Sequence, residues 1–176
     1  PELADENILL EPLKRNTAPC IAYSTFKIDT IAPDANVVVA PSDHIITDEN
    51  KFAKAIKKGL DFVNETDNLL TLGVKPKHPE TEYGYIQINP DVKPIKAADS
   101  ATCELRKVKT FTEKPNLEMA EVFYNSDEFY WNSGIFISPV KALLDAYEKH
   151  LPELFNAFND GKGIYNTPDE DLFVNT

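Results

Sequence analysis

A chain of 176 residues with 42% hydrophobic content has material for one substantial core, so a single domain over 1–176 is expected. A formal net charge of −11 argues against the broad basic surface that wrapping a nucleic acid requires, and no apolar run reaches the roughly 18 residues of a membrane-spanning helix. Cys20 and Cys103 are too few and too irregularly spaced for a disulfide framework or a zinc site, and His44, His78 and His150 lack metal-ligand spacing; two reduced thiols in a cytoplasmic protein, with no nucleic-acid or membrane partner, is the expectation.

The first predicted element is a helix over Asn16 to Ile31, with Asn16 or Thr17 as its cap and Pro19 in its first turn. Asn36-Val37-Val38-Val39-Ala40 is a short β-branched run without alternation, the pattern of a parallel strand covered on both faces, and Pro41 ends it. A clear helix follows: Thr47 serves as cap, Asp48 and Glu49 fall where the helix dipole favours them, and Phe52, Ile56 and Val63 share a face. Lys54, Lys57 and Lys58 read as its solvated side. Leu69 to Val74 reads as a second buried strand, and strand, helix, strand in that order predicts a right-handed parallel crossover. Tyr83 to Ile88, Leu105 to Thr112 and Tyr130 to Ser138 are further strands. A short helix runs from Asn116 through Phe123, and two more cover Pro139 to Lys149 and Pro152 to Asn159. The mixture is α/β with an inserted, partly antiparallel section.

Several residues carry chemistry. Asp43, in Pro41-Ser42-Asp43-His44, follows the carboxyl end of a strand, where open α/β sheets place ligands; it could hold Mg²⁺, against the commoner role of a turn cap before the next helix. Glu113-Lys114-Pro115 closes another strand. Pro115 biases Lys114 towards an extended backbone, projecting a cation suited to a phosphate beside a carboxylate suited to sugar hydroxyls, or else forming an exposed charged turn. Gly84 and Gly134 interrupt strands, which calls for a bulge or for something approaching the backbone closely, and Asn132 offers both a donor and an acceptor there. The neighbouring Tyr130, Trp131 and Phe136 read as core. Glu11 to Pro19 joins a polar loop to a helix start, which serves either as a plain capped entry or as a place for an anion.

Five motifs occur in order: Glu11-Pro-x-x-Arg-Asn-Thr-Ala-Pro, Ala40-Pro-Ser-Asp-His, Gly73-Val-x-Pro-x-x-Pro-Glu-Thr-x-Tyr-Gly-Tyr-Ile, Phe111-x-Glu-Lys-Pro and Trp131-Asn-Ser-Gly-Ile-Phe. Their order and spacing resemble those of mannose-1-phosphate guanylyltransferases over nearly the whole chain. The resemblance implies a Rossmann-like nucleotidyltransferase fold with a mixed, mostly parallel central sheet. It implies transfer of GMP from GTP to mannose 1-phosphate, with Mg²⁺, giving GDP-mannose and pyrophosphate. Position by position, Arg15, Asn16 and Thr17 resemble part of the guanine-nucleotide pocket, shaped by Glu11 and Pro12. Asp43 resembles a Mg²⁺ ligand, Gly84, Glu113, Asn132 and Gly134 the sugar contacts, and Lys114 the contact to the sugar phosphate. The family's glycine-rich loop and its later metal-binding Asp are not in the chain, so the expectation is an incomplete domain, inactive alone, from a protein that is compatible with a homo-oligomer. The rival expectations are a nucleotidyltransferase for another hexose 1-phosphate, and a non-catalytic sugar-nucleotide-binding domain of the same fold.

Overall fold

A computed structural model of the chain describes residues 3–11, 13–95 and 103–175. In chain order the elements are a 3₁₀ turn at Asp5–Asn7, α1 (Thr17–Asp29), β1 (Asn36–Val39), α2 (Glu49–Val63), β2 (Leu70–Val74), β3 (Tyr85–Ile88), β4 (Val108–Thr112), α3 (Leu117–Tyr124), β5 (Phe129–Pro139), α4 (Val140–His150), α5 (Pro152–Asn159) and α6 (Glu170–Val174). They form two compact units, Pro1–Val37 with Ser138–Thr176, and Val38–Ile137.

The first unit is mainly helical. Tyr23 and Phe26 sit three apart on α1 and are both buried, and with Tyr165 they form a core ringed by Leu9, Leu144, Phe155, Phe158, Phe173 and Val174. The ring of Phe26 lies 5.4 Å from that of Phe155 and 6.0 Å from that of Phe158, which fastens α5 to α1. The Tyr147 hydroxyl donates to the Ala18 carbonyl at 2.9 Å, tying α4 to the first turn of α1, and burial pushes this phenol up to about 12. The short α6, which the sequence reading did not anticipate, is held by Glu170, only 5% exposed. Glu170 accepts from the Tyr23 hydroxyl, from the Lys27 ammonium at 2.7 Å on each oxygen, and from the Asn166 N–H at 2.7 Å. Burial alone would raise its pKa; Lys27, Tyr23 and the Asn166 N–H outweigh burial and hold the carboxyl below its usual range.

The second unit carries most of a five-stranded sheet in the order β1-β5-β3-β4, with β2 also paired to β5. Val74 and Tyr85 both pair with Trp131, so β2 and β3 flank β5 on opposite edges there. On one face Tyr85, Phe123 and Phe129 form a buried aromatic cluster against which Trp131 packs, though Tyr130, Trp131 and Phe136, expected as core, are themselves only partly buried.

The expectation of a mostly parallel sheet is corrected by the ladders. The β2–β5, β3–β4 and β3–β5 pairs are all antiparallel. The physical reason is non-local: β5, the last strand in the chain, is neighbour to β1, β2 and β3 alike, and no local pattern announces that. Nor is β1 covered on both faces, since Val38 is 38% exposed. α2 is capped by Asp48, whose side chain accepts from the Lys51 N–H at 2.9 Å, and not by Thr47. Lys58 leaves the solvated side of α2 to donate to the Cys103 carbonyl at 2.6 Å.

Candidate functional site

The local sequence Asn132-Ser133-Gly134-Ile135 explains a bulge in β5. The β2–β5 register shifts between Thr71 and Gly73, so the backbone groups of β5 lose their regular ladder partners there. Short polar side chains replace those partners. The Gly134 N–H donates to Asn132 Oδ1 at 3.2 Å, the Ile135 N–H donates to Ser133 Oγ at 3.3 Å, and Ser133 Oγ donates to the Leu72 carbonyl at 2.6 Å. Both N–H bonds span two residues, the spacing of Asx and Ser/Thr turns. Gly134 has φ +71, where a side chain is strained, and a Cβ there would lie 3.2 Å from Pro41 Cγ. The bulge therefore meets the Pro41-Ser42-Asp43-His44 segment.

Gly84 serves a different need. Its carbonyl accepts from the Asn132 N–H at 2.7 Å, and the Tyr85–Thr112 pair brings it level with Glu113. A Cβ on Gly84 would stand 2.9 Å from Glu113 Oε2 and 3.6 and 3.8 Å from Asn132 Cβ and Nδ2. Its backbone thus leaves room for a carboxylate and an amide to converge. Of the two readings open for these glycines, a bulge applies at Gly134 and a close approach at Gly84.

Lys114 follows Glu113 and is exposed, but its backbone is not extended as Pro115 suggested; φ is 41°, in the left-handed region that long side chains rarely adopt, at a cost of about 1 kcal/mol. Asp43 is open to solvent, with 84% of its side chain exposed, and its carboxylate lies 3.8 Å from His44 Nε2. Among the described residues no group of three His, Cys, Asp or Glu side chains could hold a metal ion. One free carboxylate still fits an ion that takes a single protein ligand and fills its shell with phosphate oxygens and water.

The residues expected to meet a nucleotide belong to the first unit. Arg15, Asn16 and Thr17 are exposed at the start of α1. Asn16 occupies the N-cap with φ 65°, yet its side chain makes no cap hydrogen bond, and no acidic residue lies in the first turn. The positive end of the helix dipole is therefore not offset by a capping side chain or a first-turn carboxylate. Burial, and then the Glu11 carboxylate, raise the pKa of the Cys20 thiol. Pro12 lies outside the described residues. The sequence reading passed over Thr71 and Ser133. The two-residue turn spacing after Ser133 was there to be read, whereas Thr71 bonds Asn132 across a ladder and has no local signal.

Comparison gives the class: the nucleotidyl transferase family model matches residues 2–164, and the chain belongs to that family. It is 41% identical over 152 residues to mannose-1-phosphate guanylyltransferase of Escherichia coli, a match covering 85% of this chain and 32% of that protein. A crystal structure named mannose-1-phosphate geranyltransferase, from Thermus thermophilus, superposes with a TM-score of 0.75 at 26% identity, covering 94% of this chain and 45% of that one. One named mannose-6-phosphate isomerase, from Helicobacter pylori, superposes with a TM-score of 0.69 at 35% identity, covering 84% of this chain and 51% of that one. The architecture is the α/β nucleotidyltransferase fold. The chain spans about a third of the length of the curated relatives it matches. No helix among the described residues is long and apolar enough to cross a membrane.

Proposed function

We propose that the full-length protein transfers GMP from GTP to mannose 1-phosphate, giving GDP-mannose and pyrophosphate. The observation that carries this reading is the convergence of Glu113 and Asn132 over the Gly84 backbone, with Lys114 the residue after Glu113 in the chain. The names of the guanylyltransferase relatives support the choice of substrates. The family match, running across both compact units, supports a single nucleotidyltransferase domain over 1–176. The free thiols of Cys20 and Cys103 favour the cytoplasm.

In the proposed reaction a phosphate oxygen of mannose 1-phosphate forms a bond to the α-phosphorus of GTP. The bond from that phosphorus to the bridging oxygen breaks, and its electron pair leaves on pyrophosphate. Both reactants are anions, so the protein's main work is neutralisation and alignment. Lys114 holds the attacking phosphate. Glu113 and Asn132 grip sugar hydroxyls, with Gly84 leaving room for the two side chains to converge and Gly134 supplying the φ that the bulge beside Asn132 needs. Arg15, Asn16 and Thr17, together with Glu11 and Pro12, take the nucleotide. Asp43 would hold Mg²⁺, which when bound supplies positive charge to the phosphate oxygens. No general base is required, because the attacking phosphate is already ionised near neutral pH.

The test is pyrophosphate release by the full-length protein from GTP, mannose 1-phosphate and Mg²⁺, run beside ATP, UTP and dTTP and beside glucose 1-phosphate. Preferential turnover of GTP with mannose 1-phosphate is expected. A higher kcat/KM with another nucleotide or hexose would replace the substrate assignment, and no turnover with any pair would favour a binding domain.

A further inference from the structure

The Asn132 amide is fixed from two sides. Its Oδ1 accepts from the Gly134 backbone N–H at 3.2 Å and from the Thr71 hydroxyl at 3.1 Å. The first bond decides which end of the amide is which: a backbone N–H can only donate, so the flipped amide would set an NH₂ against it. With the oxygen so placed, Thr71 must donate. Both bonds are spent on Oδ1. Nδ2 is left, and it lies within 4 Å of the same point above Gly84 that Glu113 Oε2 approaches. Asn132 therefore offers only donors there, and the Glu113 carboxylate, when ionised, offers only acceptors.

From this geometry we infer that Thr71 is a positioning residue for sugar recognition: its hydroxyl holds the Asn132 amide so that the NH₂ group, paired with the Glu113 carboxylate, reads one sugar hydroxyl as acceptor and another as donor. The inference rests on the proposed sugar-phosphate reading and names the residue that sets its polarity. Thr71 stands on β2, and its register partner across the bulge is Phe136, four residues from Asn132. The contact exists only because β5 bulges between those two positions. In a regular ladder the Thr71 hydroxyl would not meet this amide. When Thr71 loses its hydroxyl, Oδ1 keeps one donor, the amide gains freedom to rotate, and the preference for a hydroxyl that accepts is weakened. A site built to hydrogen-bond a hydroxyl discriminates because a missing partner leaves a buried polar group unmet. A loosened amide loses that discrimination.

The test compares Thr71→Val, which keeps shape and removes the donor, with Thr71→Ser, which keeps the donor, in the full-length protein. Binding of a panel of hexose 1-phosphates and their singly deoxygenated analogues is measured by calorimetry, and KM and kcat are determined for both substrates. Thr71→Val is expected to weaken the preferred hexose 1-phosphate about tenfold, the scale of one lost hydrogen bond, with the KM for GTP within about twofold of wild type. It should also compress the gap between the parent sugar phosphate and the analogue lacking the hydroxyl that Asn132 contacts. Thr71→Ser should restore both. Unchanged sugar affinity and discrimination in Thr71→Val would overturn the inference, as would equal losses for GTP and sugar, or a Thr71→Ser variant as impaired as the valine. The wild-type panel separates the two claims. If wild type prefers a hexose other than mannose, the substrate assignment fails while the Thr71 comparison is read on that hexose. If wild type binds no hexose 1-phosphate, both fall together.

Discussion

At the residue scale, the two strand glycines were legible as anomalies in the sequence but not as different ones, because what approaches each is set by distant strands. Their substitution should separate function from stability. In Gly84→Ala the new methyl meets Glu113 Oε2 at 2.9 Å, the far end of a flexible, exposed side chain, which can move aside. Stability should stay within about 0.5 kcal/mol, while displacement of the carboxylate raises the KM for mannose 1-phosphate by about ten- to a hundredfold, the range of a charge-assisted hydrogen bond. Gly134→Ala has the opposite profile. At φ +71 a Cβ is strained by about 1 kcal/mol, and its neighbour at 3.2 Å is the ring of Pro41, which cannot swing away. A lower denaturation midpoint is expected, with kcat reduced as well because the Asp43 segment is pushed. Equal midpoints for the two variants would contradict this account. Asp43→Asn gives a third contrast. With 84% of the side chain exposed and no cap role, it should leave stability unchanged while kcat falls by about two decades or more, the scale of losing a group that stabilises transition-state charge; a stability loss with normal turnover would instead restore the turn-cap reading.

At the scale of elements, what the sequence revealed was what local chemistry determines. Asn116 caps α3 by accepting from the Met119 N–H at 2.9 Å, and Pro152 opens α5 at the residue expected. The cap of α2 was misplaced by one residue because Thr47 and Asp48 are both good caps, and only backbone geometry chooses between them. Asp48→Ala should cost about 1 kcal/mol and Thr47→Ala close to nothing, measured by denaturant titration. α6 was missed because its stabilisation is non-local: its Glu170 reaches Tyr23 and Lys27, well over a hundred residues away in sequence. That tie gives a pH prediction whose sign follows from the depressed carboxyl. A group whose pKa is lower folded than unfolded contributes stability that is fully present above the unfolded value, near 4.3, and is lost as pH falls through the folded value. Glu170→Ala should therefore cost about 2 to 3 kcal/mol near neutral pH, below the cost of fully buried pairs because Lys27 keeps some access to water. The difference from wild type should shrink below about pH 4. A constant difference down to the acid limit would show that the charge of Glu170 contributes nothing.

At the scale of the whole molecule, the order of five motifs identified the family although no single motif could, since a capped helix entry or a charged turn has many causes. The pairing of strands was not legible, because β5 must be known before β1, β2 and β3 can be placed. The motifs also divide between the two compact units: Arg15 and Asn16 belong to one, and Glu113, Lys114 and Asn132 to the other. If the first group serves the nucleotide and the second the sugar phosphate, their variants should fail in different columns of a two-substrate kinetic matrix. Lys114→Ala removes the cation from the attacking phosphate, a loss of about 1.5 to 3 kcal/mol, or about one to two decades in kcat/KM for mannose 1-phosphate. The KM for GTP should barely move. The backbone of Lys114 already has φ 41°, and alanine is strained there as lysine is, so no conformational relief confuses the result. Asn16→Ala should raise the KM for GTP and narrow the preference for guanine over other bases, since an unmet hydrogen bond is what rejects a wrong base. It has little to lose in helix stability, because the Asn16 side chain makes no cap hydrogen bond in α1. Equal weakening of both substrates by Lys114→Ala, or unchanged base choice in Asn16→Ala, would mean that the two groups of residues do not divide the substrates in this way.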